Sequence, residues 1–177
     1  MQWPGCQGPS PCNDPAARPA DRPQRNGTGR QAHHRRRGTM TRPKIGFVGI
    51  GLMGHGIAKN LVAKGYPLVL KLHRNRAGAQ DLLAAGATEA VSHAALARES
   101  DIVILCVTGA PEVEEVVLGA EGLASGAKAG LVIVDTSTSE PATTARIRDA
   151  LAPKGVRFVD APLARTPVEA ELGRLNI

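Results

Sequence analysis

The amino-acid sequence predicts an α/β domain, a doubly wound parallel sheet with helices on both faces. From residue 41 onward, short apolar runs of strand length alternate six times with segments of helical period, and the connections are short. The run over 101–107 is apolar after its first residue, as expected for a strand with both faces covered. Gly65 and Gly86 follow the first two helical segments, where helices commonly end.

The elements follow in a regular order. Aromatic residues make up 2% of the chain, so the core must be aliphatic. Pro141 suits the first turn of a helix, because its missing N–H has no helical partner there. The order of elements is that of a Rossmann domain. Strands are predicted over 44–49, 68–72, 89–91, 101–107, 131–135 and 157–160, and helices over 52–64, 78–85, 94–98, 112–118 and 141–151.

Residues 1–40 differ in composition from the rest. They contain six of the 13 prolines, five glycines, seven arginines and few aliphatic side chains. Such a segment buries too little apolar surface to offset its ordering entropy, so we expect a disordered, non-functional extension. Met40 resembles a natural start, and we expect residues 1–39 to lie upstream of the functional protein. The folded domain is predicted over 41–177.

The charge belongs mainly to that extension. The chain carries +6, but seven arginines and two aspartates lie in 1–40, which leaves 15 basic and 14 acidic residues in 41–177. The basic balance therefore does not indicate a nucleic-acid partner, and we interpret the cluster at 33–37 as a solvated run. There is no apolar run of about 18 residues, no disulfide framework and no metal-ligand spacing. We expect a cytoplasmic protein without membrane contact or metal.

The first strand leads into a glycine-rich turn. Gly49 permits a tight turn, Gly51 lets the backbone approach a pyrophosphate, and Gly54 allows close packing of the helix on the strand. The helix N-terminus then presents free N–H groups to phosphates. A purely structural turn is the alternative. The predicted dinucleotide-binding residues are Gly49, Ile50, Gly51, Leu52, Met53 and Gly54.

The end of the second predicted strand indicates which dinucleotide is bound. An acid about 20 residues after the glycine turn would hold the ribose 2′-hydroxyl of NAD, but Leu72 occupies that place. His73, Arg74 and Arg76 follow, and guanidinium groups suit the 2′-phosphate of NADP. We therefore predict NADP as the cofactor. NAD, held in another way beside a solvated basic turn, remains possible.

Four motifs resemble the β-hydroxyacid dehydrogenase family, which includes 3-hydroxyisobutyrate dehydrogenase, tartronate semialdehyde reductases and, more distantly, 6-phosphogluconate dehydrogenase. The motifs stand in the family's order, and the likeness covers about residues 44–177. They are Lys-Ile-Gly-Phe-Val-Gly-Ile-Gly-Leu-Met-Gly from Lys44 with Ala-Lys-Asn-Leu from Ala58, Cys-Val-Thr from Cys106, Asp-Thr-Ser-Thr from Asp135, and Phe-Val-Asp-Ala-Pro from Phe158.

The resemblance implies roles for further residues. Thr108 and Thr138 would line the cofactor, and Ser137 would lie near the substrate. The family's substrate loop is usually Val-Ser-Gly-Gly, whereas this chain has Leu-Ala-Arg-Thr-Pro from Leu163. Arg165 and Thr166 form a candidate anion clamp, similar to the loop of sulfolactaldehyde reductases, although Arg165 also fits a surface residue. The implied substrate is a small anionic aldehyde or hydroxy acid.

The family's catalytic lysine lies on a long helix of an all-α domain beyond this sheet, and Lys154 does not match it. We therefore expect an oxidoreductase domain that is incomplete at its C-terminal edge and inactive alone, because no group protonates the developing alkoxide. The resemblance implies that a full-length form is a homo-oligomer through the missing domain. Two alternatives stay open: an imine reductase, which shares the glycine turn, and a non-catalytic dinucleotide-binding module.

Overall fold

A computed structural model describes residues 41–73 and 76–177 of the chain. The predicted disorder of 1–40 falls outside these residues, as does Arg74. The strands are β1 (Ile45–Val48), β2 (Leu68–Lys71), β3 (Thr88–Glu89), β4 (Ile102–Leu105), β5 (Val132–Asp135) and β6 (Arg157–Asp160). The helices are α1 (Leu52–Ala63), α2 (Gln80–Ala84), α3 (His93–Glu99), α4 (Ala110–Leu118), α5 (Leu123–Gly126), α6 (Pro141–Leu151) and α7 (Pro167–Glu171), with 3₁₀ turns at Ala77–Ala79 and Ala152–Lys154.

The six strands form one sheet in the order β3-β2-β1-β4-β5-β6, and every strand pair in it is parallel. The order reverses between β1 and β4, which leaves a crevice at the carboxyl ends of these two strands. The predicted doubly wound Rossmann fold is confirmed. This topology places the glycine turn after β1 at the crevice.

Each face of the sheet has its own aliphatic core, because alternate side chains of a strand point to opposite faces. Ile45 and Phe47 of β1 belong to one cluster, together with Leu68, Leu70 and Leu82. The second cluster, on the other face, includes Val48, Val103, Leu105, Ile133 and Ile147. The paired cores explain why the strand sequences are apolar runs rather than alternating patterns.

The β5–β6 end of the sheet is less completely covered. Ile133 is fully buried, and Phe158, its register partner, packs against the same core. On the opposite face, Val132 and Val134 are only partly buried, and Val159 is 44% exposed. Outside the six strands, Ala164 and Asn176 form an isolated antiparallel bridge.

Three element predictions need correction. The third strand is Thr88–Glu89 rather than 89–91, and Val91 is 89% exposed. The predicted helix at 78–85 begins as a 3₁₀ turn and becomes α-helical only at Gln80. Helices α5 and α7 were missed, because four or five residues are too few for a hydrophobic period to show.

Candidate dinucleotide-binding site

The three glycines of the turn after β1 differ in their surroundings. Gly49 has a positive φ of 100°, and a Cβ on it would lie 2.1 Å from the carbonyl oxygen of Cys106. A Cβ on Gly54 would lie 1.9 Å from the carbonyl oxygen of Gly49, so only glycine lets α1 begin this close to the strand. A Cβ on Gly51 would meet no heavy atom within 4 Å. The protein's own packing therefore does not require a glycine at position 51, and the predicted contact of Gly51 with a pyrophosphate stays a prediction.

A cleft of about 1150 Å³ opens beside this turn, a size that suits a dinucleotide. Gly51 is the N-cap of α1, and because glycine has no side chain, no side-chain oxygen of the N-cap residue accepts a hydrogen bond from the first amides of the helix. The cleft runs between the carboxyl ends of β2 and β4 and the start of α4. Its wall contains Val48, all six residues of the glycine turn (49–54), Lys71, Leu72, His73, His93, Cys106, Val107, Thr108, Pro111, Glu112, Glu115 and Val116.

The end of β2 forms the basic part of the wall. Leu72, which stands where an acid would bind the ribose of NAD, is buried, and His73 is exposed to the cleft. Arg76 forms an ion pair with Glu89 and does not line the cleft. The predicted role of Arg76 in phosphate binding stays a prediction and requires the guanidinium to exchange one anionic partner for another.

Two basic residues of this wall, Lys71 and His93, were not among the residues predicted from the sequence. Lys71 ends β2, and its Nζ donates a hydrogen bond to the carbonyl oxygen of Leu72 (3.0 Å). His93 begins α3, directly after the N-cap Ser92, whose Oγ accepts from the amide of Ala95 (3.1 Å). Only the strand order could have identified both residues, because β2 and β3 are neighbours and the residues that follow their carboxyl ends lie at the same edge of the sheet.

The loops after β4 and β5 are joined by hydrogen bonds. Thr108 lines the cleft, and its predicted contact with the cofactor stays a prediction. Ser137 is buried, and its Oγ accepts from the amide of Val107 (3.0 Å), while its own amide donates to Oδ1 of Asp135 (2.9 Å). Thr138 is exposed and lies outside the cleft wall. Ser137 thus fixes the loop that carries Thr108, and the predicted substrate and cofactor roles of Ser137 and Thr138 stay predictions.

The predicted anion clamp lies on a strained loop before α7. Arg165 is exposed and has φ of 92°, and among the described residues other than glycine it alone has a positive φ. The carboxylate of Glu169 accepts from the amide of Thr166 (3.2 Å) and from its hydroxyl, which caps α7. These hydrogen bonds, with the nearby charge of Arg165, lower the pKa of Glu169. The hydroxyl of Thr166 is therefore engaged within the loop.

Helix α7 packs directly on α1, the helix that follows the glycine turn. A Cβ on Gly56 would lie 2.6 Å from the carbonyl carbon of Ala170, so glycine permits the two backbones to touch. Nδ2 of Asn60 donates to the carbonyl oxygens of Ala170 (3.0 Å) and Glu171 (3.2 Å). The loop that carries Arg165 is thereby attached to the helix that begins the cofactor cleft.

A charged bridge reinforces this contact. Nδ1 of His55 lies 2.7 Å from Oε1 of Glu171, and its Nε2 lies 3.0 Å from Oδ2 of Asp81 on α2. Nζ of Lys59 lies 2.8 Å from the other oxygen of Glu171. The hydrogen bond to Glu171 is the main cause that raises the pKa of His55, while partial burial opposes it. The imidazole and Lys59 in turn lower the pKa of Glu171.

Other kinds of site were also sought in residues 41–73 and 76–177. In these ranges no group of three or more His, Cys, Asp or Glu side chains is arranged to hold a metal ion. Across the same ranges, no helix has the length and hydropathy needed to cross a membrane.

Three curated relatives match the chain at 31% to 37% identity. The chain is similar to 2-(hydroxymethyl)glutarate dehydrogenase of Eubacterium barkeri (37% identity, 76% of this chain and 44% of the relative). It is also similar to 2-hydroxy-3-oxopropionate reductase of Escherichia coli (34% identity, 76% of this chain and 45% of the relative). Mitochondrial 3-hydroxyisobutyrate dehydrogenase of Mus musculus matches at 31% identity, over 79% of this chain and 42% of the relative. The chain thus spans less than half the length of these relatives.

Solved structures and a family model agree with the relatives. The structure of Psf3 in complex with NADP+ and 2-OPP matches with a TM-score of 0.69 at 30% identity, over 74% of this chain and 46% of that one. A reductive aminase from Aspergillus terreus in complex with NADPH4, cyclohexanone and allyl amine matches with a TM-score of 0.62 at 25% identity, over 73% of this chain and 44% of that one. The model for the NAD binding domain of 6-phosphogluconate dehydrogenase matches residues 44–177. The chain therefore belongs to the family of 6-phosphogluconate dehydrogenase NAD-binding domains, and its homologues are oxidoreductases of the hydroxyacid dehydrogenase type.

Proposed function

We propose that the chain is the cofactor-binding half of an NADP-dependent oxidoreductase that acts on a small anionic 3-hydroxy acid or its semialdehyde. The observation that carries the proposal is the cleft itself. It begins at a glycine turn with open space at Gly51 and ends in basic side chains, with the buried Leu72 in place of a carboxylate. A phosphate-bearing ribose suits this end better than a free 2′-hydroxyl does.

The cofactor would be held along the length of the cleft. The amides at the start of α1 would bind the pyrophosphate, since helix N-termini attract phosphate groups. His73, Arg74 and Arg76 would face the 2′-phosphate, and Thr108 would line the nicotinamide half. When bound, the nicotinamide supplies or accepts the hydride. The chain's own residues orient it and exclude water from one of its faces.

Arg165 supports an anionic substrate. A left-handed backbone in a residue other than glycine costs about 1–2 kcal/mol, and such strain tends to cluster at functional sites. A guanidinium binds carboxylate, sulfonate or phosphate oxygens in a bidentate manner. Thr166 contributes to this clamp only if its hydroxyl leaves Glu169, so the proposal rests mainly on Arg165.

The proton that completes reduction of the carbonyl would come from outside the described residues. Among the described lysines, Lys71 lines the cleft, but it lies at the ribose end and donates to Leu72. Lys154 belongs to the 3₁₀ turn after α6 and does not line the cleft. A positioned general acid typically contributes about 10²–10⁴-fold to such a step. The 177-residue chain is therefore expected to bind the cofactor with little or no turnover.

The likeness to a reductive aminase favours one second candidate, an enzyme that reduces imines. An imine has no anion to clamp, so the two candidates differ in what Arg165 does. In calorimetry, the full chain saturated with NADP should bind 3-hydroxyisobutyrate, and Arg165→Gln should abolish this binding. Binding of a neutral cyclic imine that is indifferent to Arg165→Gln would favour the second candidate.

Titration of the full 177-residue chain with NADPH and NADH, followed by cofactor fluorescence, tests the cofactor assignment. We expect both to bind and NADPH to bind at least tenfold more tightly. Tighter binding of NADH would overturn the NADP preference while keeping the fold. Failure of both to bind, by a chain shown to be folded, would overturn the proposed function and leave the glycine turn as architecture.

A further inference from the structure

Basic side chains from two separate elements meet at the ribose end of the cleft. Lys71 and His73 come from the end of β2, and His93 comes from the first turn of α3, 20 residues further along the chain. They meet because β2 and β3 are parallel neighbours whose following loops lie at the same edge of the sheet. His93 is half-buried, whereas His73 is exposed.

The surroundings of His93 disfavour its charged form while the cleft is empty of anions. Burial is the main cause that lowers the pKa of His93, and the charges of Lys71 and His73 lower it further. Glu115 of α4, the one acid among these facing groups, opposes the shift. Helix α5 and strand β1, which also pack against α3, contain no titratable side chain. A neutral imidazole at neutral pH follows.

Bound phosphate reverses this balance. A phosphate monoester carries about −1.5 to −2 charges near pH 7, and an opposite charge within about 4–6 Å favours the protonated imidazole. Lys71 donates one of its N–H groups to Leu72 and has two more available to a phosphate oxygen. The phosphate charge thereby offsets the repulsion between the charges of Lys71 and His73 and a protonated His93. The free energy needed to protonate His93 falls as a result.

We propose that His93 is a specificity-determining residue for the cofactor, and that it takes up one proton from solvent when the cleft binds the 2′-phosphate of NADP. This inference rests on the proposed dinucleotide site and deepens it. The proton is gained by the free imidazole nitrogen, and no bond in the cofactor changes. NADH, which has a 2′-hydroxyl instead, provides no charge to drive the uptake. Discrimination between the two cofactors is then greatest at mildly acidic pH and declines as the pH rises.

The test compares NADPH and NADH binding to the full chain from pH 6.5 to 8.5, where the phosphate is mainly a dianion because its second pKa is about 6. We expect NADPH binding to be about 3- to 10-fold tighter at pH 6.5 than at pH 8.0, since one proton taken up changes affinity at most tenfold per pH unit. NADH binding should be flat over this range. Calorimetry in two buffers of different ionisation enthalpy should report on average about 0.3–0.7 proton taken up per NADPH between pH 6.5 and 8.0, which is the uptake that this fold-change requires, and none per NADH.

Two matched variants assign the proton. His93→Gln keeps a polar side chain, and in this variant NADPH binding should lose its pH dependence and its proton uptake, while NADH binding should stay independent of pH. His73→Gln should weaken NADPH binding, because it removes a proposed contact to the 2′-phosphate, but it should retain both the pH dependence and the proton uptake. Uptake that persists in His93→Gln but disappears in His73→Gln would overturn the proposal and assign the proton to His73. Equal uptake in both variants and the wild type, or tight NADPH binding without uptake, would also overturn it. If neither NADPH nor NADH binds to the wild-type chain, the result would instead refute the dinucleotide site on which the inference rests.

Discussion

Gly51→Ala separates the binding role of the glycine turn from its structural role. A methyl group at this position meets no heavy atom within 4 Å and points into the cleft. The backbone has φ −100° and ψ −161°, which alanine adopts freely. Alanine is a poorer N-cap than glycine by a few tenths of a kcal/mol to about 1 kcal/mol. It also stabilises the folded state by about 0.4–1 kcal/mol, because it reduces the conformational entropy of the unfolded chain. The free energy of unfolding should therefore stay within about 0.5 kcal/mol of the wild type.

The same methyl group should damage dinucleotide binding. It occupies the space through which the pyrophosphate approaches the first amides of α1, so at least one hydrogen bond to a charged oxygen is lost. Such a bond contributes about 1.5–3 kcal/mol. Dissociation constants for NADPH and NADH should both rise about 10- to 150-fold, because each 1.4 kcal/mol corresponds to a factor of ten.

Two companion variants complete the experiment. In Gly54→Ala the Cβ would lie 1.9 Å from the carbonyl oxygen of Gly49, so the turn itself must move and stability should fall. In Gly78→Ala the Cβ has open space on an exposed 3₁₀ turn, so binding should not change and stability should rise by about 0.4–1 kcal/mol. Urea denaturation and cofactor fluorescence measure the two quantities. Wild-type affinity in folded Gly51→Ala would refute a pyrophosphate at this turn, and a loss of stability as large as that of Gly54→Ala would refute the open space assigned to Gly51.

Three further predictions concern the contact between α1 and α7. Gly56→Ala forces a Cβ to within 2.6 Å of backbone atoms of α7, and we expect a loss of about 1–3 kcal/mol by urea denaturation; an unchanged midpoint would contradict the close approach. Arg165→Gly relieves about 1–2 kcal/mol of backbone strain but adds about 0.5–1 kcal/mol of unfolded-state entropy, so the variant should be about 0.5–1 kcal/mol more stable; a less stable variant would mean that the side chain holds the loop. His55 has a raised pKa, so its stabilising contribution is complete below its usual pKa of about 6.5 and is lost as the pH rises through the raised value. Its carboxylate partners have lowered pKa values and lose their contribution only in acid, so the wild type should exceed His55→Gln in stability most between about pH 5 and 6.5; a difference that grows toward pH 8.5 would refute the charged bridge.

The sheet was predictable because its signal is local. Strands β1, β2, β4 and β5 are largely apolar runs whose side chains pack into the two cores, and such runs need no tertiary information to be found. Strand β3 was misplaced because it has only two residues, and the apolar Val91 beside it is exposed. Helix α7 was missed because its stability comes from a tertiary contact. The packing of Gly56 against Ala170 and the hydrogen bonds from Asn60 hold these five residues as a helix, together with the capping bonds between Thr166 and Glu169.

The candidate site was predictable to the extent that it follows the chain. The glycine turn and His73 lie directly after strands that the pattern identifies, and both line the cleft. Lys71 and His93 were not found, because one was counted as part of a strand and the other lies after a strand too short to predict. The ion pair of Arg76 with Glu89 was also beyond the sequence, since it depends on side-chain geometry. The capping bond between Thr166 and Glu169, in contrast, has a Thr-x-x-Glu signature that the sequence does contain.

Helix α1 connects the two halves of the proposed site. Its first turn borders the cleft where the pyrophosphate would bind, and its middle carries the glycine, histidine and asparagine that hold α7. Because α7 follows the loop of Arg165 directly, the position of the proposed anion clamp is fixed relative to the cofactor by one rigid helix rather than by the loop itself. The strain at Arg165 is sustained for the same reason, since a loop attached at only one end would relax. Helix α7, which was not predicted from the sequence, thus determines where a substrate anion would lie relative to the nicotinamide.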